Sequence, residues 1–435
     1  MKKIVLIALL FLTFTGYTQE RFQRIDSLLT YLNNNNKFMG SVSLREGNEV
    51  VFSKAYGFAD EENKIEATNT TKYKIGSITK TFTATIIMQL IEEKKLHLES
   101  KLTKFYPKVQ NAEKISIYDL LHHRTGIKDY INQDSLSVED FATNDLKTVI
   151  YNKINNYESI FEPGSKFLYS NSNYYLLGGI IEKLTKESYA SNVENRIIKK
   201  LGLKNTYYPN DKINSSKKES YSYIFNGTNW EKAPEWGNNV AFAAGEIMST
   251  PDDLTEFMFA LFNGKLVKNT SLEAMKDLKD GYGIALMQFP FGERKFYGHT
   301  GGIENFRAVV GYYPTDNLGV SLIVNGDNFN RNDIMIGILS IYYKIPFPFP
   351  NFEKIDDTVL QKYVGTYASP EIPLKITVST KNGELIAQAT GQPSFPLTPK
   401  SDTEFVFQTA GVEMVFEENK FTLKQGGQKF KFTKE

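Results

Sequence analysis

The sequence predicts a mixed α/β (α+β) domain with an inserted helical lobe, followed by a small all-β domain. Three observations predict it. Strand-like runs lie near both ends of the region up to residue 343, with helical patterns and long polar loops between them. The segment Ile345-Pro346-Phe347-Pro348-Phe349-Pro350 then cannot continue a helix and reads as a stiff linker. Beyond it come several short alternating segments punctuated by turn residues, the pattern of a closed barrel or sandwich.

The elements follow in order. Lys2 and Lys3 precede an apolar run from Ile4 to Phe14, too short to span a bilayer. This is the pattern of a secretory signal peptide, residues 1–18, with Gly16 and Thr18 as small residues before the cut. The expected product is exported, to the periplasm or the medium, without stable membrane insertion. Phe22, Ile25, Leu28, Leu29 and Leu32 have helical spacing. Ser41 to Arg45 and Val50 to Ala55, joined at Glu46-Gly47-Asn48, read as a hairpin. A helix then begins at Ser77. Thr250-Pro251-Asp252-Asp253 starts another, with a capping threonine, proline at the first helical position and acids in the first turn. Phe306 to Tyr313 and Gly319 to Asn325 are strands around Pro314-Thr315-Asp316-Asn317, and an apolar helix covers 334–343. The expected domains are 20–345, a linker over 346–358, and 359–435. Seven tail segments read as strands: 364–367, 374–378, 385–389, 405–408, 412–416, 421–424 and 429–432.

Composition narrows the function. The chain of 435 residues is 41% hydrophobic, so it folds and buries a sizeable core. Lys plus Arg number 51 and Asp plus Glu 50, which leaves no basic field for nucleic acid and no polybasic run for a membrane surface. There is no cysteine, which excludes disulfides, thiolate metal sites and a cysteine-linked lipid anchor. No metal-ligand spacing occurs, and His122-His123 read as loop residues. No metal or cofactor is expected. The expected partner is a small-molecule or peptide substrate.

The chemistry begins at Ser77-Ile78-Thr79-Lys80. Serine and lysine three residues apart meet on one helix face. Ser77 follows Gly76 and opens the apolar run Ile78, Phe82, Ile86, Ile87, Leu90, Ile91. A helix N-terminus favours an oxyanion, and a packed lysine would accept the serine's proton. Ser215 to Lys218 repeats the spacing, but in a polar stretch that reads as solvated loop. Tyr169-Ser170-Asn171 follows the turn Pro163-Gly164 and precedes a helical run. Tyr169 would hold or take the Ser77 proton, and Asn171 would orient Lys80 and bind a substrate amide. The same spacing at Tyr31, Tyr130 and Tyr208 lacks that entry and exit. Gly298-His299-Thr300-Gly301-Gly302 precedes a strand pair. Its edge would accept an extended substrate, the Gly302 N–H would complete an oxyanion hole with Ser77, and His299 and Thr300 would bind a carboxylate. Arg124-Thr125-Gly126 is a rival without strand context.

In that order, Ser77-x-x-Lys80, Tyr169-x-Asn171 and His299-Thr300-Gly301 resemble the three motifs of the serine β-lactamase and penicillin-binding superfamily. The forms are similar to its class C-related branch of D-alanyl-D-alanine carboxypeptidases, D-aminopeptidases and esterases. Leu120 to Ile127 and Ala243-Ala244-Gly245 resemble framework segments there, and the tail resembles an appended lipocalin-like β-domain. The resemblance covers about residues 30 to 343. It implies an acyl-enzyme on Ser77, with Lys80 and Tyr169 sharing proton transfer and either one as the base. The class C β-lactamases carry lysine where this chain has His299, which sets β-lactam turnover against peptidase chemistry. The expected activity is that of a D-amino-acid peptidase, carboxypeptidase or β-lactamase. The alternatives are a carboxylesterase on the same machinery and a penicillin-binding protein that acylates without turnover.

Overall fold

The computed structural model describes residues 20–132, 145–210, 212–237, 239–352, 355–381, 383–407 and 410–435. The signal segment 1–18, Asn382 and Gln408 lie outside the described residues. The chain folds as two compact units. One is Leu32–Asn328; the other joins the described residues up to Tyr31 with those of Phe329–Glu435.

The first unit is built on a sheet. Its strands are β1 (Phe38–Glu46), β2 (Glu49–Tyr56), β3 (Tyr223–Phe225), β4 (Trp230–Lys232), β5 (Met287–Phe291), β6 (Arg294–Ile303), β7 (Phe306–Tyr313) and β8 (Leu318–Asp327). The main ladder runs β2-β1-β8-β7-β6-β5, all antiparallel. β3 adds a parallel bridge to β8 through Tyr223 and Gly326, and β4 pairs with β3. β1 and β2 come from one end of the unit and β5 to β8 from the other, as the two sets of strand signals predict. β1 and β8 are buried along almost their whole length, so they read as continuous apolar and small-residue runs rather than as alternation.

The residues between supply the helices. α1 (Thr79–Glu92) is buried on every side from Thr79 to Leu90. Its threonines fit such a site because their hydroxyls return to backbone oxygens: Thr81 donates to Ile78 O at 2.7 Å and Thr85 to Thr81 O at 2.7 Å. α2 (Asn171–Thr185) buries Tyr174 to Ile181. α3 (Pro251–Phe262) begins as its cap signals predict, with the Thr250 side chain accepting from Asp253 N. One continuous apolar core joins these helices to the inner face of β6 and β7, including Phe306, Ala308 and Val310.

In the second unit α4 (Arg331–Tyr342) packs with the helix that begins at residue 20 and with the proline-rich segment, since a Cβ on Gly337 would lie 2.8 Å from Leu28 and 2.9 Å from Phe347. Arg24 Nη2 donates to Phe347 O at 3.1 Å, and Tyr31 stacks on Phe352 with ring centroids 5.5 Å apart. The tail is a closed barrel of β9 (Gly365–Ala368), β10 (Lys375–Lys381), β11 (Glu384–Ala389), β12 (Phe395–Pro399), β13 (Glu404–Phe407), β14 (Val412–Glu417), β15 (Lys420–Gln425) and β16 (Gln428–Lys434). The sequence reading missed β12. Pro396 and Pro399 argue against a strand, yet both pair, opposite Ile386 and Phe405. Inward side chains fill the barrel: Phe421 stacks on Phe432 at 4.8 Å, and Tyr363 stacks on Phe416 at 4.5 Å.

Candidate active site

Ser77 sits in a short 3-10 turn, Gly76–Ile78, that runs directly into α1. The α-helix proper begins two residues after the serine, and Lys80 lies on its first turn. Gly76 makes this turn possible. Its φ is +53°, and a Cβ there would lie 2.7 Å from the amide nitrogen of Gly302. Gly301 approaches from the other side: a Cβ on it would lie 1.9 Å from Ile75 O and 3.3 Å from Ser77 N. The strand and the turn are thus in backbone contact, which only glycines allow.

The three sequence motifs meet here. Lys80 Nζ lies 2.9 Å from Ser77 Oγ, 2.8 Å from Asn171 Oδ1 and 2.7 Å from Ala244 O. Tyr169 Oη donates to Ser77 Oγ at 2.9 Å. Asn171 occupies the first position of α2, and Tyr169 precedes the capping residue Ser170. Lys80 is fully buried, and burial draws its ammonium down to about 7, with the negative charge of Asp129 acting in the opposite direction. Burial pushes the Tyr169 hydroxyl up, so it stays protonated; its bond to Ser77 opposes this and Asp129 adds to it.

The strand β6 supplies the third side. It pairs with β5 only from Arg294 to Gly298, so among the described residues His299 to Ile303 have β7 on one edge and no strand on the other. Glu304 and Asn305 make a two-residue connection to β7. In such a hairpin Ile303 and Phe306 exchange both backbone bonds, and Gly302, opposite Arg307, turns its N–H and C=O to the open edge. The Gly302 amide therefore joins the Ser77 turn from the side a bound carbonyl would occupy. The hairpin tip is anchored: Glu304 Oε1 accepts from Lys74 Nζ at 2.6 Å and from Trp236 N at 2.7 Å. Both side chains of this ion pair are buried. Lys74 lies three residues before Ser77, so the pair ties the hairpin to the chain that enters the Ser77 turn.

His299 is placed differently from a carboxylate-binding cation. Its Nδ1–H donates to Thr300 O at 2.5 Å, and its Nε2 accepts from Tyr282 Oη at 3.0 Å. Both nitrogens are occupied, and burial lowers the ring's pKa to about 3. It is a neutral imidazole that braces the strand. Thr300 is half-buried on the same strand.

Sequence reasoning missed four contributors. Asp129 Oδ2 accepts from Asn171 Nδ2 at 2.9 Å and from Asn171 N at 3.2 Å, fixing the amide that orients Lys80. Only its position soon after the Arg124-Thr125-Gly126 loop could have marked it. Ala244 O and Tyr282 act through contacts that no spacing reveals. His123, expected as a loop residue, is fully buried. Its ring lies 4.2 Å from that of Tyr169, its Nδ1 accepts from Ser170 N at 3.1 Å, and its carbonyl accepts from Leu168 N at 2.9 Å. It holds the chain on both sides of Tyr169. The rival motifs lie elsewhere: Tyr130 Oη donates to Val240 O at 2.5 Å, Arg124 pairs with Asp280, and Ser215 to Lys217 form a separate short turn.

The profile of the Beta-lactamase family matches residues 35–339. Protein flp of Staphylococcus aureus (strain MRSA252) is 29% identical over 326 residues, which is 71% of this chain and 64% of that protein. The chain thus spans 64% of the length of this curated relative. Among solved structures, the octameric penicillin-binding protein homologue from Pyrococcus abyssi shares the fold over 95% of this chain and 99% of that one, with a TM-score of 0.69 and 23% identity. The D-amino acid amidase of Ochrobactrum anthropi SV3 shares it over 75% of this chain and 99% of its own, with a TM-score of 0.66 and 24% identity. The resemblance read from the three motifs is borne out: this chain belongs to the Beta-lactamase family, within the serine β-lactamase and penicillin-binding superfamily.

Proposed function

We propose that the chain hydrolyses an amide or ester bond of a D-amino-acid derivative through an acyl-enzyme on Ser77. One observation carries the reading: the Ser77 hydroxyl lies between Lys80 and Tyr169. As a free amine, Lys80 has two N–H bonds to give. Asn171 Oδ1 and Ala244 O are acceptors that cannot donate, so they take both. The lone pair then faces the Ser77 O–H, and Lys80 is the base. Tyr169, kept protonated, steadies Ser77 Oγ before attack.

The steps follow from that geometry. Ser77 Oγ attacks the carbonyl carbon while its proton passes to Lys80. The developing oxyanion is held by the N–H groups of Ser77 and Gly302. Collapse breaks the bond to the leaving nitrogen or oxygen, which takes a proton from Tyr169, and Lys80 restores the Tyr169 proton. A water molecule repeats the sequence to release the acid. The fold shared with a D-amino acid amidase supports a D-amino-acid substrate. Neutral His299 supports an uncharged leaving group over a free carboxylate beside it. The Lys2-Lys3 start and its apolar run support export, so the substrate would be met outside the cytoplasm.

The test pairs D- and L-aminoacyl amides and esters with intact-protein mass spectrometry. The D series should acylate Ser77 and turn over. Peptide mapping that placed the acyl group on Ser215, or on any other serine, would overturn the assignment.

A further inference from the structure

We propose that Arg307 forms an anion-binding subsite for the acyl side of the substrate, so that the hydrolase prefers acyl groups carrying a carboxylate. The inference rests on the acyl-enzyme reading above and adds a substrate feature to it.

The first observation is the placement of Arg307. It lies directly opposite Gly302 in the β6–β7 register. Nη1 donates to Phe306 O at 2.8 Å and to Glu304 O at 3.2 Å, which holds the guanidinium over the hairpin. A Cβ on Gly302 would lie 3.8 Å from Nη1. Gly302 has no side chain and is exposed, so the space between the open strand edge and the guanidinium is clear. Arg45, Arg124 and Arg196 each face a carboxylate, respectively Glu256, Asp280 and Glu93. Arg307 is half-buried and has no carboxylate partner among the described residues. Two bonds to backbone oxygens use one of its nitrogens and leave further donors of the planar fork for a ligand.

The second observation is direction. A carbonyl bound by Gly302 N–H belongs to an acyl residue whose own N–H meets Gly302 C=O. Two bonds exchanged with one residue make an antiparallel pair. The leaving group then runs back along Gly301 and Thr300, and the acyl group runs forward past Ile303 to the Glu304 turn. Arg307 is reached from the acyl side. The leaving-group side ends at His299, which is neutral with both nitrogens engaged. Lys74, the other cation at the hairpin tip, is already paired with Glu304. Anion recognition at this edge therefore falls to Arg307.

The experiment gives the full-length protein two D-alanyl esters, one N-succinyl and one N-succinamoyl. They match in shape and differ by one charge. The wild-type kcat/KM should favour the succinyl ester by about tenfold, the scale of one charge-assisted bidentate contact. The preference should shrink as salt rises. In Arg307→Gln the ratio should fall to near one, and Arg307→Lys should keep part of it. The uncharged ester, assayed on the same preparations, reports folding. A wild-type ratio near one with both esters hydrolysed overturns the subsite and leaves the hydrolase reading standing. A ratio that persists in Arg307→Gln also overturns the subsite. Failure of both esters to acylate Ser77 overturns both readings.

Discussion

At the scale of single residues, the proposed chemistry depends on keeping one lysine short of a proton. Burial lowers Lys80 to about 7, and Asp129 holds it up against that effect. The expected kcat/KM rises with pH through about 7, as Lys80 becomes a free amine. Asp129→Asn removes the supporting negative charge but keeps an acceptor for Asn171. The acid limb should therefore move to lower pH, and a pH–rate profile of the two proteins checks the sign. The same shift affects folding. Between about 7 and the ordinary lysine range the unfolded chain binds the extra proton, so this group's contribution to stability increases with pH across that window. Tyr169→Phe should lower kcat by about two orders of magnitude, the scale of losing an acid–base group, while intact-protein thermal melts change little. Near wild-type turnover would make Tyr169 structural. Ser77, Lys80, Tyr169 and Asn171 were legible because their chemistry sits in short local spacings. Asp129, Ala244 and Tyr282 were not, because each acts through a contact between distant segments. The partners of His299 were not legible either: its state is set by Tyr282 and a buried setting, neither of which its neighbours in sequence announce.

At the scale of elements, the decisive contact is between β6 and the Ser77 turn. Gly301→Ala puts a methyl group where Ile75 O already lies, so strand and turn must separate. Overpacking of this kind costs about 1–3 kcal/mol. The expected result is a lower melting temperature together with loss of Ser77 acylation by a small activated ester. Loss of stability with full acylation would show that the oxyanion position tolerates the displacement. The glycines were visible in the sequence, but their reason was not: a close approach needs both partners, and they lie far apart in the chain. Strand β12 failed to show for the opposite reason. Its prolines argue locally against a strand, while the closed barrel keeps neighbours on both of its sides.

At the scale of the whole molecule, every residue placed at the site lies within Leu32–Asn328. A chain ended after Pro350 should therefore keep Ser77 labelling by a small activated ester. The measurement is scored only on material that remains monodisperse. A well-folded truncated chain that cannot be labelled would show that the barrel contributes to the chemistry. The alternation in the tail foreshadowed a closed barrel or a sandwich with an aromatic filling; the structure closes it as a barrel, with β12 as the eighth strand that the seven segments lacked. The order of strands in the main sheet has a further consequence, for biogenesis. β1 pairs on one edge with β2, its neighbour in sequence, and on the other with β8, where Phe38 meets Asp327. A chain made from its N-terminus has a long buried-type strand with one unsatisfied edge until nearly all of this unit has been synthesised. Contacts of such long range form slowly and leave adhesive intermediates. The newly made polypeptide should thus depend on a holding factor, and refolding yield from denaturant should fall steeply as protein concentration rises.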